Sequence, residues 1–322
     1  MNILPSFQAL SLDELTQSSA RQSAWLWDGF LMPGCLALLT SQWKSGKTTL
    51  VSVLFAKMRE GGLLFDRPVR KGTATIISEE DSSLWVTRVR TLSLGRNISL
   101  ISRPFMRRPT ADDWNALIDS LVASHESRPL DLVVIDSLAA FLPCESENVA
   151  GSMLDALFPL QRLTALGIAV LALHHPKKGE VIAGQASRGS GALPGAVDVL
   201  LEMYWHGKAF DGDRRRRLLG FSRFDETPRT LIVELNESRT DYTVHPGEEE
   251  GPREWQTLRT LLVQSNHPLT RRELLNQWPT SIPRPDDSTL WRWLDRAVRS
   301  GRVVQSGAGS RREPFGYSLG AG

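Results

Sequence analysis

The residues with the clearest chemical potential form a short loop near the start of the chain. Segment 41–49 reads Ser-Gln-Trp-Lys-Ser-Gly-Lys-Thr-Thr and lies between the apolar run 35–39 and a helical pattern that begins at Leu50. A strand, a tight loop ending in Gly-Lys-Thr and a helix together form the pattern of a phosphate-binding P-loop. Backbone N–H groups at a helix N-terminus make such a loop a cradle for phosphates. Ser41 replaces the usual first glycine, and a chance Gly-Lys-Thr is the alternative.

The loop supplies a residue for each task in nucleotide binding. We expect Lys47 to reach the β- and γ-phosphates and Thr48 to ligate Mg²⁺. Gly46 lets the backbone approach a ligand closely. The cofactors predicted from this loop are ATP and Mg²⁺. The predicted nucleotide-binding residues are Ser41, Trp43, Lys44, Ser45, Gly46, Lys47, Thr48 and Thr49.

Acidic residues follow two later apolar segments that read as buried strands. Segment 73–78 leads into two glutamates and an aspartate, and segment 130–135 leads into Asp136. Because α/β sheets bind ligands beyond the carboxyl ends of their strands, these acids are site candidates. Asp136 fits the Walker B role of holding Mg²⁺, through water or through the P-loop threonine. Glu80 is the candidate for orienting the attacking water, whereas Asp81 suits the N-cap of the next helix.

Histidines and basic residues follow a further apolar strand, 167–173. His174 and His175 stand at its end and are candidate sensors of the γ-phosphate. Zinc binding is the alternative, although no third ligand lies near them in sequence. The Gly/Ser-rich segment that follows can grip a nucleic-acid backbone or be a plain surface loop. Its candidate DNA-binding residues are Lys177, Lys178 and Arg188.

Composition limits the class of protein. With 322 residues, 41% hydrophobic and 23% charged, the chain suits one large domain plus a small one. Its two cysteines, Cys35 and Cys144, lack metal-ligand spacing and favour reduced thiols. There is no signal-peptide pattern and no apolar run of membrane-spanning length, so we expect a cytoplasmic protein. The net charge is only +2, so nucleic-acid binding would depend on local patches.

Strands alternate with helices up to about residue 243, which predicts an α/β core with a mostly parallel, helix-covered sheet. We expect a helix over Met153–Leu166, and hairpin edge strands over 197–205, 218–224 and 230–235, with Arg214–Arg217 in a turn. Trp25 and Trp27 can stack on an adenine or pack on the sheet, and packing is favoured. The predicted divisions are an N-terminal arm (1–24), the core (25–244), a charged Pro/Gly linker (245–252) and a small C-terminal domain (253–322).

The C-terminal segment shows three helical patterns followed by a β-hairpin, which is typical of a winged helix. Residues 253–322 carry eleven arginines against six acidic residues. Arg292 and Arg296 lie on the third helix and Arg311 and Arg312 at the hairpin tip. These positions suit a recognition helix in the major groove and a wing on the DNA backbone. A protein-interaction module is the alternative.

The order of the motifs resembles that of the RepA-like hexameric ATPases of the RecA superfamily, over roughly residues 20–240. The segments that carry the resemblance are 44–48, 78–81, 135–137, 174–178 and 186–190. The resemblance implies a RecA-like core that hydrolyses ATP between subunits of a ring and acts on DNA. It implies Glu80 as catalytic glutamate and His174 or His175 as sensor.

The resemblance also implies a trans-acting arginine shortly after the Arg-Gly-Ser motif, and here this chain departs from the pattern. Asp198 stands at that position. The residues that can replace the arginine are Arg188, Arg217 and Arg223.

These observations predict an ATP-dependent, DNA-binding ATPase that assembles as a homo-oligomer. Helicase or DNA-remodelling work in replication, repair or mobile-element maintenance is the expected role. The alternative is a slow ATP-operated switch that recruits a protein partner through its winged helix.

Overall fold

A computed structural model describes residues 11, 25–143, 150–175, 192–207, 209–245, 253–280, 282, 284–299, 303–309 and 314–320. The chain divides into two compact units, Met1–Pro246 and Gly247–Gly322. The predicted arm apart from Ser11, and the predicted DNA contacts Lys177, Lys178, Arg188, Arg311 and Arg312, lie outside the described residues. For Arg292 and Arg296 only the backbone is described.

The first unit alternates strands and helices as the sequence predicts. Its elements are β1 (Leu36–Ser41), α1 (Lys47–Glu60), β2 (Gly62–Leu64), β3 (Arg67–Val69), β4 (Ala74–Ser78), α2 (Ser82–Leu92), β5 (Ile98–Ser102), α3 (Ala111–Ser127), β6 (Leu132–Asp136), α4 (Leu138–Phe141), α5 (Ala150–Leu157), a 3₁₀ turn (Phe158–Leu160), α6 (Gln161–Ala165), β7 (Ala169–His174), α7 (Ala192–Gly195), β8 (Val199–Trp205), β9 (Arg215–Ser222), β10 (Thr230–Leu235) and β11 (Tyr242–His245).

The strands of this unit form a nine-stranded sheet in the order β11-β10-β9-β8-β1-β7-β6-β4-β5, with β2 and β3 as a separate hairpin. The six strands from β8 to β5 in this order are parallel, and β9 to β11 add an antiparallel edge. Because parallel strands share a direction, the carboxyl ends of β1, β4, β6 and β7 lie side by side. The P-loop follows the carboxyl end of β1.

Apolar side chains on both faces hold the parallel strands in the core. Leu39 of β1 packs in one buried cluster with Leu50 and Leu54 of α1. Its neighbour Leu38 packs in the other cluster with Trp114 of α3. Burial on both faces explains why these strands read as continuous apolar runs rather than as alternating patterns.

Three sequence predictions about elements differ from the structure. The helix expected over Met153–Leu166 is interrupted by the 3₁₀ turn at Pro159, because proline lacks the N–H that the helix needs. The segments 197–205, 218–224 and 230–235 are not edge strands: β8 pairs with β1 and β9, with Val199–Met203 buried, and β11 forms the edge beyond β9 and β10. Arg215–Arg217 belong to strand β9 and not to a turn.

Aromatic partners explain how an arginine run forms a strand. The guanidinium of Arg216 lies 3.6 Å from the ring centroid of Trp205, and that of Arg217 lies 5.8 Å from that of Tyr204. Rings on the neighbouring strand cover the long stems and interact with the charges.

Trp27 packs in the core, as expected. It is 2% exposed and stacks on Phe30 with ring centroids 4.3 Å apart. Its indole N–H donates to the carbonyl of Leu64 at 3.1 Å. Trp25 makes an edge-to-face contact with Phe224. Cys35 is a free, half-buried thiol, whereas Cys144 lies outside the described residues.

The described residues of the second unit form three helices and a small sheet. Its elements are α8 (Arg253–Gln264), β12 (Leu269–Thr270), α9 (Arg271–Asn276), α10 (Asp287–Arg299), β13 (Val303–Ser306) and β14 (Gly316–Leu319). The sheet order is β12-β14-β13, with antiparallel pairs. Thr270 and Glu273 form the predicted capping box at the start of α9. Leu258, Leu290 and Leu294 lie in its buried core.

Among the helices in the described part of the chain, none is long and apolar enough to cross a membrane.

Candidate nucleotide-binding site

The loop between β1 and α1 adopts a backbone conformation that glycine permits. Gly46, at the N-cap of α1, has φ of 107°, and Lys44 has φ of 57°. A Cβ added at Gly46 would meet nothing within 4 Å, so the backbone angle, not a clash, favours glycine there. The same open space lets a ligand approach the first N–H groups of α1.

Lys47 is folded back into the loop. The residue is 5% exposed, and its Nζ donates to the carbonyl and hydroxyl oxygens of Ser41 at 3.2 and 3.1 Å. The same Nζ lies 3.0 Å from His175 Nδ1. Burial lowers the pKa of Lys47 to about 8, although Asp136 and Glu79 partly oppose the shift. A triphosphate would add negative charge beside this buried ammonium group.

The departure at Ser41 is accommodated within the loop. The Ser41 hydroxyl lies 2.5 Å from the Ser45 hydroxyl, and Ser45 donates to the carbonyl of Gln42 at 2.7 Å. Ser41 therefore replaces the flexibility of a glycine with hydrogen bonds to Lys47 and Ser45.

Thr48 and Asp136 come together from distant parts of the chain. The Thr48 hydroxyl donates to Asp136 Oδ2 at 2.7 Å. Burial raises the pKa of Asp136 to about 6, more than the hydrogen bond from Thr48 lowers it. A hydroxyl and a carboxylate beside a phosphate cradle are the oxygen donors that Mg²⁺ uses, so these residues fit that ion.

The three acids after β4 have different partners. Both Glu80 carboxylate oxygens accept from Arg88, at 2.5 and 3.0 Å. The Ser137 hydroxyl donates to Glu79 at 3.2 Å, beside Asp136. Asp81 caps α2 by accepting from the Ser83 N–H at 2.9 Å, as expected. Glu80 thus stands at the predicted strand end, held in a bidentate ion pair.

The histidine pair closes the site next to Lys47. His174 is 5% exposed, and burial lowers its pKa to about 4, with His175 and Lys47 adding to the shift. Burial and the neighbouring Lys47 also lower the pKa of His175. Within the described residues, no group of three or more His, Cys, Asp or Glu side chains could hold a metal ion.

Sequence reasoning missed Arg216, a cation that supports the P-loop from strand β9. Its Nε donates to the Ser45 carbonyl at 2.8 Å. Only the pairing of β8 with β9 reveals which arginine of the run reaches the loop.

The predicted loop residue Trp43 is 57% exposed. Its ring centroid lies 5.6 Å from that of Phe210, and Lys44 Nζ lies 5.1 Å from the Trp43 ring centroid.

Two of the arginines considered as trans-acting cations, Arg217 and Arg223, lie near opposite ends of β9. Asp198, just before β8, forms an ion pair with Arg223 at 3.4 Å. Arg217 lies near the opposite end of β9, over Tyr204.

A P-loop after the central strand of a mostly parallel sheet, with an acid from β6 against its threonine, defines a RecA-like P-loop ATPase core. A solved ATPase domain has a similar structure, with a TM-score of 0.51 over 65% of this chain and 84% of that chain. At 13% identity this likeness concerns the fold. The chain itself belongs to the AAA domain family. The family model matches residues 4–181, which is more than half of this chain. A search of curated proteins found no match.

Proposed function

We propose that this protein is a cytoplasmic, RepA-like DNA motor that hydrolyses ATP, assembles as a homo-oligomer and acts in replication, repair or mobile-element maintenance. The observation that carries the proposal is the contact between Thr48 and Asp136, 2.7 Å long, beside the buried Lys47. It joins the P-loop to the acid of β6 in the arrangement that nucleotide hydrolysis requires.

Each residue of the site has a distinct part in this function. The loop residues Ser41 and Trp43–Thr49 bind the phosphates, and Lys47 neutralises charge on the β- and γ-phosphates. Thr48 and Asp136 hold Mg²⁺, which supplies Lewis-acid stabilisation when bound. Glu80 orients the attacking water.

The histidines connect the site to the following segment. His175 lies 3.0 Å from Lys47 Nζ, so a phosphate that draws Lys47 away changes the surroundings of the histidine pair. His174 and His175 are thus placed to sense the γ-phosphate.

DNA binding is proposed for two parts of the chain. The described residues of the second unit form three helices and an antiparallel strand pair. This arrangement supports a winged helix with Arg292 and Arg296 on α10 and with Arg311 and Arg312 between β13 and β14 in the sequence. The basic segment after His175 adds Lys177, Lys178 and Arg188.

ATP turnover of a Lys47→Ala variant, with and without single- or double-stranded DNA, tests the proposal. The wild-type protein should hydrolyse ATP and respond to DNA by several-fold, and the variant should lose hydrolysis because its phosphates lack their cation. Lys71→Ala is the matched control, since Lys71 is an exposed lysine 3.5 Å from Glu60. Unchanged DNA-stimulated turnover in Lys47→Ala would contradict the proposed function.

A second candidate is the slow ATP-operated switch with a protein partner. The ion pair of Glu80 with Arg88 favours it, because Arg88 holds both carboxylate oxygens, and turnover is slow if this pair must open before Glu80 orients water. Slow turnover that DNA leaves unchanged would select the switch over the motor.

A further inference from the structure

A loop at the carboxyl end of β5 exposes basic and apolar side chains together. Residues 103–109 read Arg-Pro-Phe-Met-Arg-Arg-Pro, with three arginines and no acidic residue. Met106 is 97% exposed, whereas no other large apolar side chain in the described part of the chain exceeds 59%. Arg107 and Arg108 follow it and are also exposed. A single exposed apolar residue is ordinary, so the contacts of the loop decide whether it has a function.

The base of this loop is fixed to the acidic segment that follows β4. Arg103 Nε donates to the Glu79 carbonyl at 3.1 Å, and its Nη1 lies 3.1 Å from Asp81 Oδ2. The Ser102 hydroxyl donates to the Glu80 carbonyl at 2.8 Å. Each of the three acidic residues after β4 is therefore in contact with the end of β5.

The backbone at Arg103 is also held in place. Its φ of 47° lies in the left-handed region that residues other than glycine rarely adopt, and its N–H donates to the Ser78 carbonyl at 2.8 Å. Such a conformation persists where the surrounding contacts fix it, and it is common at functional sites. At the other end of the loop Pro109 is buried and Thr110 forms the capping box of α3. The loop is thus anchored at both ends and exposed between them.

The same loop contacts the segment that follows Asp136. The rings of Phe105 and Phe141 pack edge to face with centroids 6.3 Å apart, and Phe141 belongs to α4, which begins at Leu138. Four strand spacings of about 4.8 Å separate β5 from β1 in the sheet. The loop therefore lies outside the P-loop itself, yet it touches both segments that carry the acids of the nucleotide site.

The chemistry of the exposed tip fits a nucleic acid. Arg107 Nη1 lies 2.8 Å from Asp113 Oδ2, and the two side chains are 64% and 31% exposed. Exposed ion pairs of this kind are weak in water, so a phosphate can replace the carboxylate. Methionine is flexible and polarisable and packs against bases in nucleic-acid complexes. The basic segment that begins at Lys177 follows β7, and the carboxyl end of β7 lies on the same side of the sheet as this loop, which favours a nucleic acid over an acidic protein segment.

We infer that residues 106–108 bind single-stranded DNA and that Arg103 transmits this binding to Glu80. The inference rests on the proposed ATPase function and adds a DNA contact to those proposed above. Arg88 holds both Glu80 carboxylate oxygens and lies on α2, whose N-cap is Asp81. DNA at the tip acts on Arg103, and a shift in its contact with Asp81 moves the start of α2 and opens the ion pair of Glu80. Arg103 is thus a positioning residue.

Variants of the tip test the DNA contact. Arg107→Ala with Arg108→Ala should weaken binding of a labelled single-stranded oligonucleotide, measured by fluorescence anisotropy. The slope of log affinity against log salt should become shallower by roughly 1.4, since each phosphate contact to a single strand contributes about 0.7. Arg107→Lys with Arg108→Lys should keep the wild-type slope. Met106→Ala should weaken binding without changing the slope, and Met106→Leu should restore it. Arg70→Ala, at an exposed arginine paired with Asp131, is the matched control.

Arg103→Ala tests the coupling between the loop and the nucleotide site. This variant should bind the oligonucleotide as wild type does, because Arg103 does not contact the phosphates, but its ATP turnover should no longer rise when DNA is added. Arg103→Lys keeps a cation for Asp81 and should regain part of the stimulation. A merely structural role would instead lower the unfolding temperature and the ATP affinity of Arg103→Ala.

The outcomes separate this inference from the proposed function. If wild-type turnover is absent or does not respond to DNA, the proposed motor fails, and the anisotropy measurement still decides the DNA contact because it needs no turnover. An unchanged salt slope in Arg107→Ala with Arg108→Ala would overturn the DNA contact and leave an acidic protein segment as the partner of the loop. Wild-type stimulation of Arg103→Ala by DNA would overturn the coupling.

Discussion

Burial gives the two charged groups of the nucleotide site opposite shifts. The pKa of Lys47 falls to about 8 and that of Asp136 rises to about 6, in both cases mainly through desolvation. Both groups are thus less stable in their charged forms than they would be in water. A phosphate chain would stabilise the Lys47 ammonium group, and Mg²⁺ would stabilise the Asp136 carboxylate. The two ligands would thus offset the free energy lost when these charges are buried.

Asp136→Asn should therefore stabilise the nucleotide-free protein while removing its response to Mg²⁺-ATP. A shift from 3.8 to about 6 corresponds to roughly 3 kcal/mol of differential interaction. The raised folded pKa means that the carboxylate destabilises the fold above pH about 6 and has no such effect below pH about 4. The gain in Asp136→Asn should be full at pH 7 and should vanish towards pH 4.

Denaturant unfolding from pH 4 to 7.5, with and without Mg²⁺-ATP, measures both effects. Asp119→Asn is the control, since Asp119 is an exposed partner of Arg162. An Asp136→Asn variant less stable than wild type at pH 7 would show that the contacts of the carboxylate outweigh the cost of burying its charge.

At the scale of elements, strand β9 supports the P-loop through Arg216. Arg216→Ala should weaken ATP binding roughly 10- to 100-fold, because a hydrogen bond from a charged donor contributes about 1.5–3 kcal/mol. Titration with a fluorescent ATP analogue measures the change. Arg214→Ala, whose side chain pairs with Glu234 and Glu237, should bind as wild type. Equal affinity in both variants would mean that β9 does not support the loop.

Strand register limits what the sequence can reveal about this site. The P-loop, Asp136 and the acids after β4 were predictable because each lies at a strand end that local pattern identifies. The partners of Arg88 and Arg216 were not, because they depend on how distant segments meet in the fold. A run of four consecutive arginines does not show which one contacts the Ser45 carbonyl. The pairing of Arg216 with Trp205 identifies it.

At the scale of the whole molecule, charge is unevenly distributed along the chain. The chain carries a net +2, yet residues 253–322 contain eleven arginines and six acidic residues, a surplus of five positive charges. The preceding residues 1–252 therefore carry a net −3, which equals the charge of the three linker glutamates 248–250. The C-terminal segment is thus the part of the chain whose charge favours DNA, and total charge alone would have hidden it.

Charge reversal on α10 tests whether the second unit binds DNA. Arg292 and Arg296 lie four residues apart on this helix and so share one face. In the full-length protein, Arg292→Glu with Arg296→Glu should lower DNA affinity, and the slope of log affinity against log salt should become shallower by about two if both contact phosphates. ATP turnover without DNA should not change, since neither residue belongs to the nucleotide site.

Arg271→Ala, at an arginine paired with Asp287 in the same unit, is the control. Because the two functional candidates differ in what the second unit binds, an unchanged salt slope would favour the protein-recruiting switch.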